Sequence, residues 1–96
     1  RYSTNPGKTI KKVAVLGGSG SFAIEAARNK GADAFITADL KYHQFYQGYD
    51  SLLLVDVGHY ESEQFTKNLI FEYLTEKLPN FAIVLSQTKT NPVNYL

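Results

Sequence analysis

Three short apolar runs rich in β-branched residues, each stopping at glycine or a polar cluster, constrain this chain more than any other feature. Residues 10–16 (IKKVAVL) run into Gly17-Gly18, residues 34–37 (AFIT) into Ala38-Asp39, and residues 51–57 (SLLLVDV) into Gly58-His59. A fourth run, FAIVL, occupies residues 81–85. Strands with apolar residues at consecutive positions are buried on both faces, as parallel strands are. The segments between them read as helices. Residues 22–30 (FAIEAARNK) stop at Gly31, and residues 40–49 form a short aromatic-rich helix or turn. Residues 61–78 give the clearest helix: Phe65, Leu69, Tyr73 with Leu74, and Leu78 recur at three-to-four spacing, acids fill the first turn, Lys77 the last, and Pro79 follows. The order β-α-β-α-β-α-β predicts one small three-layer α/β domain over residues 10–96, with a mainly parallel sheet, right-handed crossovers and helices on both faces. Residues 1–9, with Pro6 and Gly7, read as a linker or edge segment, and residues 88–96 as a polar tail.

Bulk properties narrow the function. With 96 residues and 44% hydrophobic content the chain supports one core. A net charge of +1 with scattered Lys and Arg offers no stripe for nucleic acid. No apolar run approaches the roughly 20 residues of a membrane span, so no membrane partner is expected. The lack of Cys excludes thiolate chemistry and fits a reducing compartment, making a cytoplasmic location the expectation. The lack of Met suggests a processed product or part of a longer protein.

The polar clusters that follow the strands are the candidate chemistry, because ligands of open α/β sheets bind beyond the carboxyl ends of the strands. His59 and Glu63 stand four apart in Gly58-His59-Tyr60-Glu61-Ser62-Glu63. On a helix they share a face and can offer an imidazole nitrogen and a carboxylate to one ion, a set suited to zinc, manganese, iron or nickel. An ordinary ion pair at a helix start gives the same spacing. Gly17 to Ser21, with Gly18 and Ser19 at its centre, can cradle an anion with backbone N–H groups, or can simply allow a tight turn and close approach to something bulky. Neither G-x-G-x-x-G nor a Walker lysine is present. Asp39 reads as a ligand, as a partner orienting an imidazole, or as an N-cap for residues from Leu40 onward. His43 is a candidate proton carrier, and the Tyr42 to Tyr49 aromatics read as packing or a subunit contact.

Together, KKVAVLGGSGSF, GADAFITADLKYHQFY and VDVGHYESEQFTKNL resemble the C-terminal half of the GTP cyclohydrolase 1 type 2 homologue family, dinuclear-metal proteins that form toroidal hexamers. The resemblance implies that His59 and Glu63 are two ligands of a site for two divalent ions per full-length subunit. It also implies that Asp39 and His43 line the cleft, with Gly18 and Ser19 as further candidates there. The family's other ligands, a His-His pair and an Asp, belong to its N-terminal half, and this chain has no His-His pair. Thr37-Ala38-Asp39 stands where the family has Thr-Gly-Asp. The implied partners are the missing N-terminal half, further copies in a homo-hexamer and a small-molecule substrate. The implied activity is metal-dependent hydrolysis of a nucleotide-like or other small molecule. Two alternatives are a non-catalytic metal-binding or protein-interaction module, and a nucleotide-binding domain using the glycine loop.

Overall fold

A computed structural model describes residues 1–96, which fall into two compact units, Arg1–Glu63 and Gln64–Leu96. In the first, strands β1 (Val13–Ser19), β2 (Ala34–Ala38) and β3 (Leu53–Asp56) form an all-parallel sheet in the order β1-β2-β3. A 3-10 turn at Ser21–Ala23 and helix α1 (Ile24–Asn29) connect β1 to β2, and a 3-10 segment at Tyr42–Gly48 connects β2 to β3. Helix α2 (His59–Glu63) follows β3. The second unit contains helix α3 (Thr66–Lys77).

Register places Val13, Ala34 and Leu53 in one row, Ala14, Phe35 and Leu54 in the next, and Val15, Ile36 and Val55 in the third. Alternate rows point to opposite faces. The Phe35 and Leu54 face packs against Ile24 and Ala27 of α1 and against Leu40 and Leu52, and this is the core. Ile24 and Ala27 stand three apart, which puts both on the inward side of α1. The opposite face leaves Val13 and Val15 exposed, Val15 at 71%. Before β1, the Asp33 carboxylate accepts the Lys11 and Lys12 amides at 3.0 and 2.9 Å, which ties the incoming chain to the start of β2 and holds that carboxyl below its usual range. At the other edge, Tyr2 pairs antiparallel with Val55, and the Ser3 amide bonds to the Leu54 carbonyl at 2.8 Å.

Three expectations are corrected. Residues 81–85 form no strand, so the sheet has three strands rather than four. An apolar run supplies β-propensity but not the partner strand that a sheet needs. The helix expected over 61–78 is two helices, α2 and α3, with a turn at Gln64 and Phe65. The stripe expected to face a core, including Phe65 just before α3 and Leu69 and Tyr73 within it, is exposed.

Candidate functional site

The carboxyl ends of the three strands bring the sequence candidates into reach of one another. Between Val15 and Ser19, β1 departs from regular pairing with β2 and bulges at the glycines. Gly18 adopts φ +66°, a left-handed conformation open to glycine. Its amide donates to Ser62 Oγ at 2.9 Å, and its carbonyl accepts from Thr37 Oγ1 at 3.1 Å. A Cβ on Gly18 would overlap the Glu63 carboxylate and come into ordinary van der Waals contact with the His59 ring. The glycines therefore admit α2 close against β1. The anion-cradle reading is not met at Gly18, because Ser62 already takes its N–H. Ser19 ends β1 and is exposed.

At the end of β3, Asp56 is 5% exposed and accepts three donors: the Leu40 amide at 3.0 Å, the Gly58 amide at 3.1 Å and the Arg1 guanidinium. It thereby fixes the backbone next to Asp39 and next to His59. Asp39, just before Leu40, is held at φ +57°, a conformation that costs energy for a residue with a side chain. Its carboxylate does not cap the following segment, since Leu40's amide goes to Asp56 and the 3-10 segment is capped at Lys41 by Gln44. Instead, Asp39 Oδ2 lies 2.6 Å from His59 Nδ1, across a separation of 20 residues. The orienting role is the one of its three readings that the geometry matches.

On the far side of the ring, His59 Nε2 lies 3.2 Å from Glu63 Oε2, one helical turn on. A carboxylate only accepts, so the bond to Asp39 places a proton on Nδ1 and leaves Nε2 as the variable position. A bare Nε2 lone pair facing a carboxylate oxygen is repulsive, so the pair favours a positive centre between them. A second proton supplies one: His59 is shifted above its ordinary value, chiefly by the hydrogen bond and charge of Asp39, which outweigh the opposing desolvation, with Glu63 adding to the rise. A divalent ion would supply another. The three side chains are each about half exposed, 52% for His59, 48% for Asp39 and 50% for Glu63, so the position is open from solvent. The donor set fits two ligands with an outer carboxylate fixing the imidazole. No group of three or more His, Cys, Asp or Glu side chains is placed to hold an ion, because Asp39 faces the Nδ1 side.

His43 lies in the 3-10 segment and is exposed. Sequence reading passed over two residues that build this site. Asp56 stands inside an apolar run, where an acid flanked by Val55 and Val57 is the available signal, and Ser62 is the helix residue that anchors β1.

The comparisons agree with this architecture. Residues 1–92 match the family described as Duf34/NIF3 (NGG1p interacting factor 3). Over 95 residues the chain is 40% identical to a "GTP cyclohydrolase 1 type 2 homolog" of Bacillus subtilis, covering 91% of this chain and 24% of that protein. Among solved structures, Staphylococcus aureus protein SA1388 superposes on the whole chain with a TM-score of 0.78 at 28% identity, over 33% of its own length. A Bacillus cereus protein related to NIF3 superposes likewise, with a TM-score of 0.74 at 33% identity over 28% of its length. The chain thus spans about a quarter to a third of these relatives. No helix is long and apolar enough to cross a membrane. On the match across residues 1–92, the chain belongs to the Duf34/NIF3 family.

Proposed function

We propose that this chain is the C-terminal part of a longer metal-dependent hydrolase acting on a nucleotide-like or other small molecule, and that His59 and Glu63 are two of the ligands of its dinuclear divalent-metal site. The observation that carries the reading is the fixed imidazole: Asp39 holds Nδ1 at 2.6 Å while Nε2 faces Glu63 at 3.2 Å. When bound, the ions supply Lewis-acid activation of water. The chain's own residues do the rest. Asp39 keeps the Nδ1 proton and the ring orientation, which leaves Nε2 as the donor atom. Ser62, bonded to both the Gly18 amide and the His59 carbonyl at 2.9 Å, sets α2 against the β1 bulge, and the glycine there leaves room for the Glu63 carboxylate. The remaining ligands belong to the portion of the protein beyond these residues. His43, exposed on the neighbouring segment, is assigned the role of proton carrier. The name of the Bacillus subtilis relative, GTP cyclohydrolase 1 type 2 homolog, favours a nucleotide among small-molecule substrates.

The test is elemental analysis and turnover on the full-length protein. About two equivalents of zinc or manganese in wild type, a loss of metal in His59→Ala and Glu63→Ala, and turnover on a nucleotide and phosphoester panel that disappears with the metal support the proposal. His43→Gln should lower kcat with metal content unchanged. Turnover that persists in both ligand variants would sink the hydrolase assignment. A metal-binding assembly or protein-interaction module without catalysis is the second reading. It is favoured by the apolar surface left uncovered on the sheet and on α3. Metal bound at full occupancy with no substrate consumed would select it.

A further inference from the structure

We propose that the cleft between the N-terminal edge segment and the Tyr42–Gly48 3-10 segment is a stacking site for the planar heteroaromatic ring of a small molecule, a proposal that rests on the hydrolase reading above and supplies its substrate's ring subsite. The cleft holds about 370 Å³ and is lined by Tyr2, Tyr42, Phe45, Tyr46 and Tyr49 with Arg1. That volume lies within the range of small-molecule sites, which are largely aromatic and apolar with a few fixed polar groups. The tyrosines are not part of the core: all four are between 62% and 78% exposed. Exposed aromatic side chains would ordinarily sample several rotamers, yet Tyr42, Tyr46 and Phe45 each have a partner in the cleft. Tyr42 and Tyr46 meet edge to face at 5.6 Å and 80°, and their hydroxyls hydrogen-bond at 2.9 Å. The Arg1 guanidinium lies 5.8 Å from the Phe45 ring centre while ion-paired to buried Asp56. Such pre-organisation lowers the ordering cost that a ligand would otherwise meet.

Charge indicates which part of a ligand the cleft takes. Arg1 is the only ionic side chain lining it at neutral pH, and Asp56 already neutralises that charge. Aromatic faces, an engaged guanidinium and phenolic hydroxyls suit a neutral ring with hydrogen-bonding edges and offer little to a phosphate. The cleft is also tied to the candidate metal ligands. Asp56, which holds Arg1, also holds the amide of Leu40, and the preceding residue, Asp39, fixes His59. A ring seated among the tyrosines would therefore sit on the same hydrogen-bonded frame that orients the imidazole.

The experiment is calorimetric titration of the full-length protein with guanosine and adenosine, and with ribose 5-phosphate as a ligand lacking the ring. Saturable nucleoside binding, no ribose 5-phosphate binding, a loss of about tenfold or more in affinity in Tyr46→Ala and Tyr49→Ala, and retention in Tyr46→Phe support the proposal. No nucleoside binding to wild type, or unchanged affinity in both alanine variants, overturns it. Unchanged affinity with a shift of assembly state in light scattering for Tyr46→Glu would make the cleft a subunit contact, and this also overturns it. Elemental analysis of the same preparations and of His59→Ala reports on the metal separately. Nucleoside binding by a wild-type protein that carries no metal, or whose metal content is unchanged in His59→Ala, leaves the cleft standing while the metal reading fails, and metal lost in His59→Ala without nucleoside binding to wild type does the reverse.

Discussion

His59 has two neighbours of like charge on opposite ring nitrogens, and this sets how it titrates. Asp39 contributes most, so replacing it with Asn should bring the imidazole back down toward its ordinary value near 6.5, and Glu63→Gln should do so less. The folded-state value is raised, so the stabilisation of the fold by the charged ring is complete below the unfolded value. It is lost as pH rises through the folded value. Following the His59 ring protons by NMR across pH 5 to 9 checks this; a wild-type midpoint at or below that of Asp39→Asn would contradict the geometry. Gly18→Ala tests the other side of the site. Left-handed backbone disfavours a side chain by roughly 1–2 kcal/mol, and the new Cβ would displace Glu63, so a larger loss of stability is expected than for Gly31→Ala, where φ is +70° but nothing lies within 4 Å. Equal losses in thermal unfolding would show that Glu63 is not packed there. At this scale the sequence was partly legible. The spacing of His59 and Glu63 sufficed to pair them, but the bond from Asp39 to His59 crosses between two strands and no spacing encodes it. Asp56 was hidden by its apolar neighbours.

Among the elements, the three strands and their order were legible because each is an apolar run with a stop signal, although β1 lies three residues later than expected. Gly17 and Gly18 read as the end of that strand, yet they continue it through a bulge. The absence of a fourth strand and the break in the long helix were not legible, since both depend on partners that propensity does not specify. This contrast gives a measurable difference in the 96-residue chain. Leu54 of β3 is fully buried in the core, so Leu54→Ala should cost about 2–5 kcal/mol in urea unfolding. Leu69 of α3, although it belongs to the most regular apolar repeat in the sequence, is 67% exposed, and Leu69→Ala should fall within about 0.5 kcal/mol of wild type. A Leu69 effect as large as that of Leu54 would show that α3 has a packed inner face in the isolated chain.

For the whole molecule, the unfilled quantity is cover for apolar surface. All-parallel sheets occur almost always with both faces covered, and here the row of Val15, Ile36 and Val55 points away from the one core, with Val15 largely exposed. Separately, α3 carries no buried residue. Patches of this kind on a small chain signal surface that is covered in the complete protein or that drives association. The chain's span of about a quarter to a third of its relatives leaves ample polypeptide to provide that cover. The 96-residue chain alone should therefore bind an apolar dye such as ANS and self-associate with rising concentration, while the full-length protein binds little dye per mole. Val15→Ser should be near neutral for the isolated chain, or reduce its dye binding, and should destabilise the full-length protein by about 1–3 kcal/mol, because only there would the substitution bury a hydroxyl. Dye binding and Val15→Ser effects that are equal in the two proteins would mean that the open face of the sheet is a solvent face in both, and that the added polypeptide serves the site without serving the core.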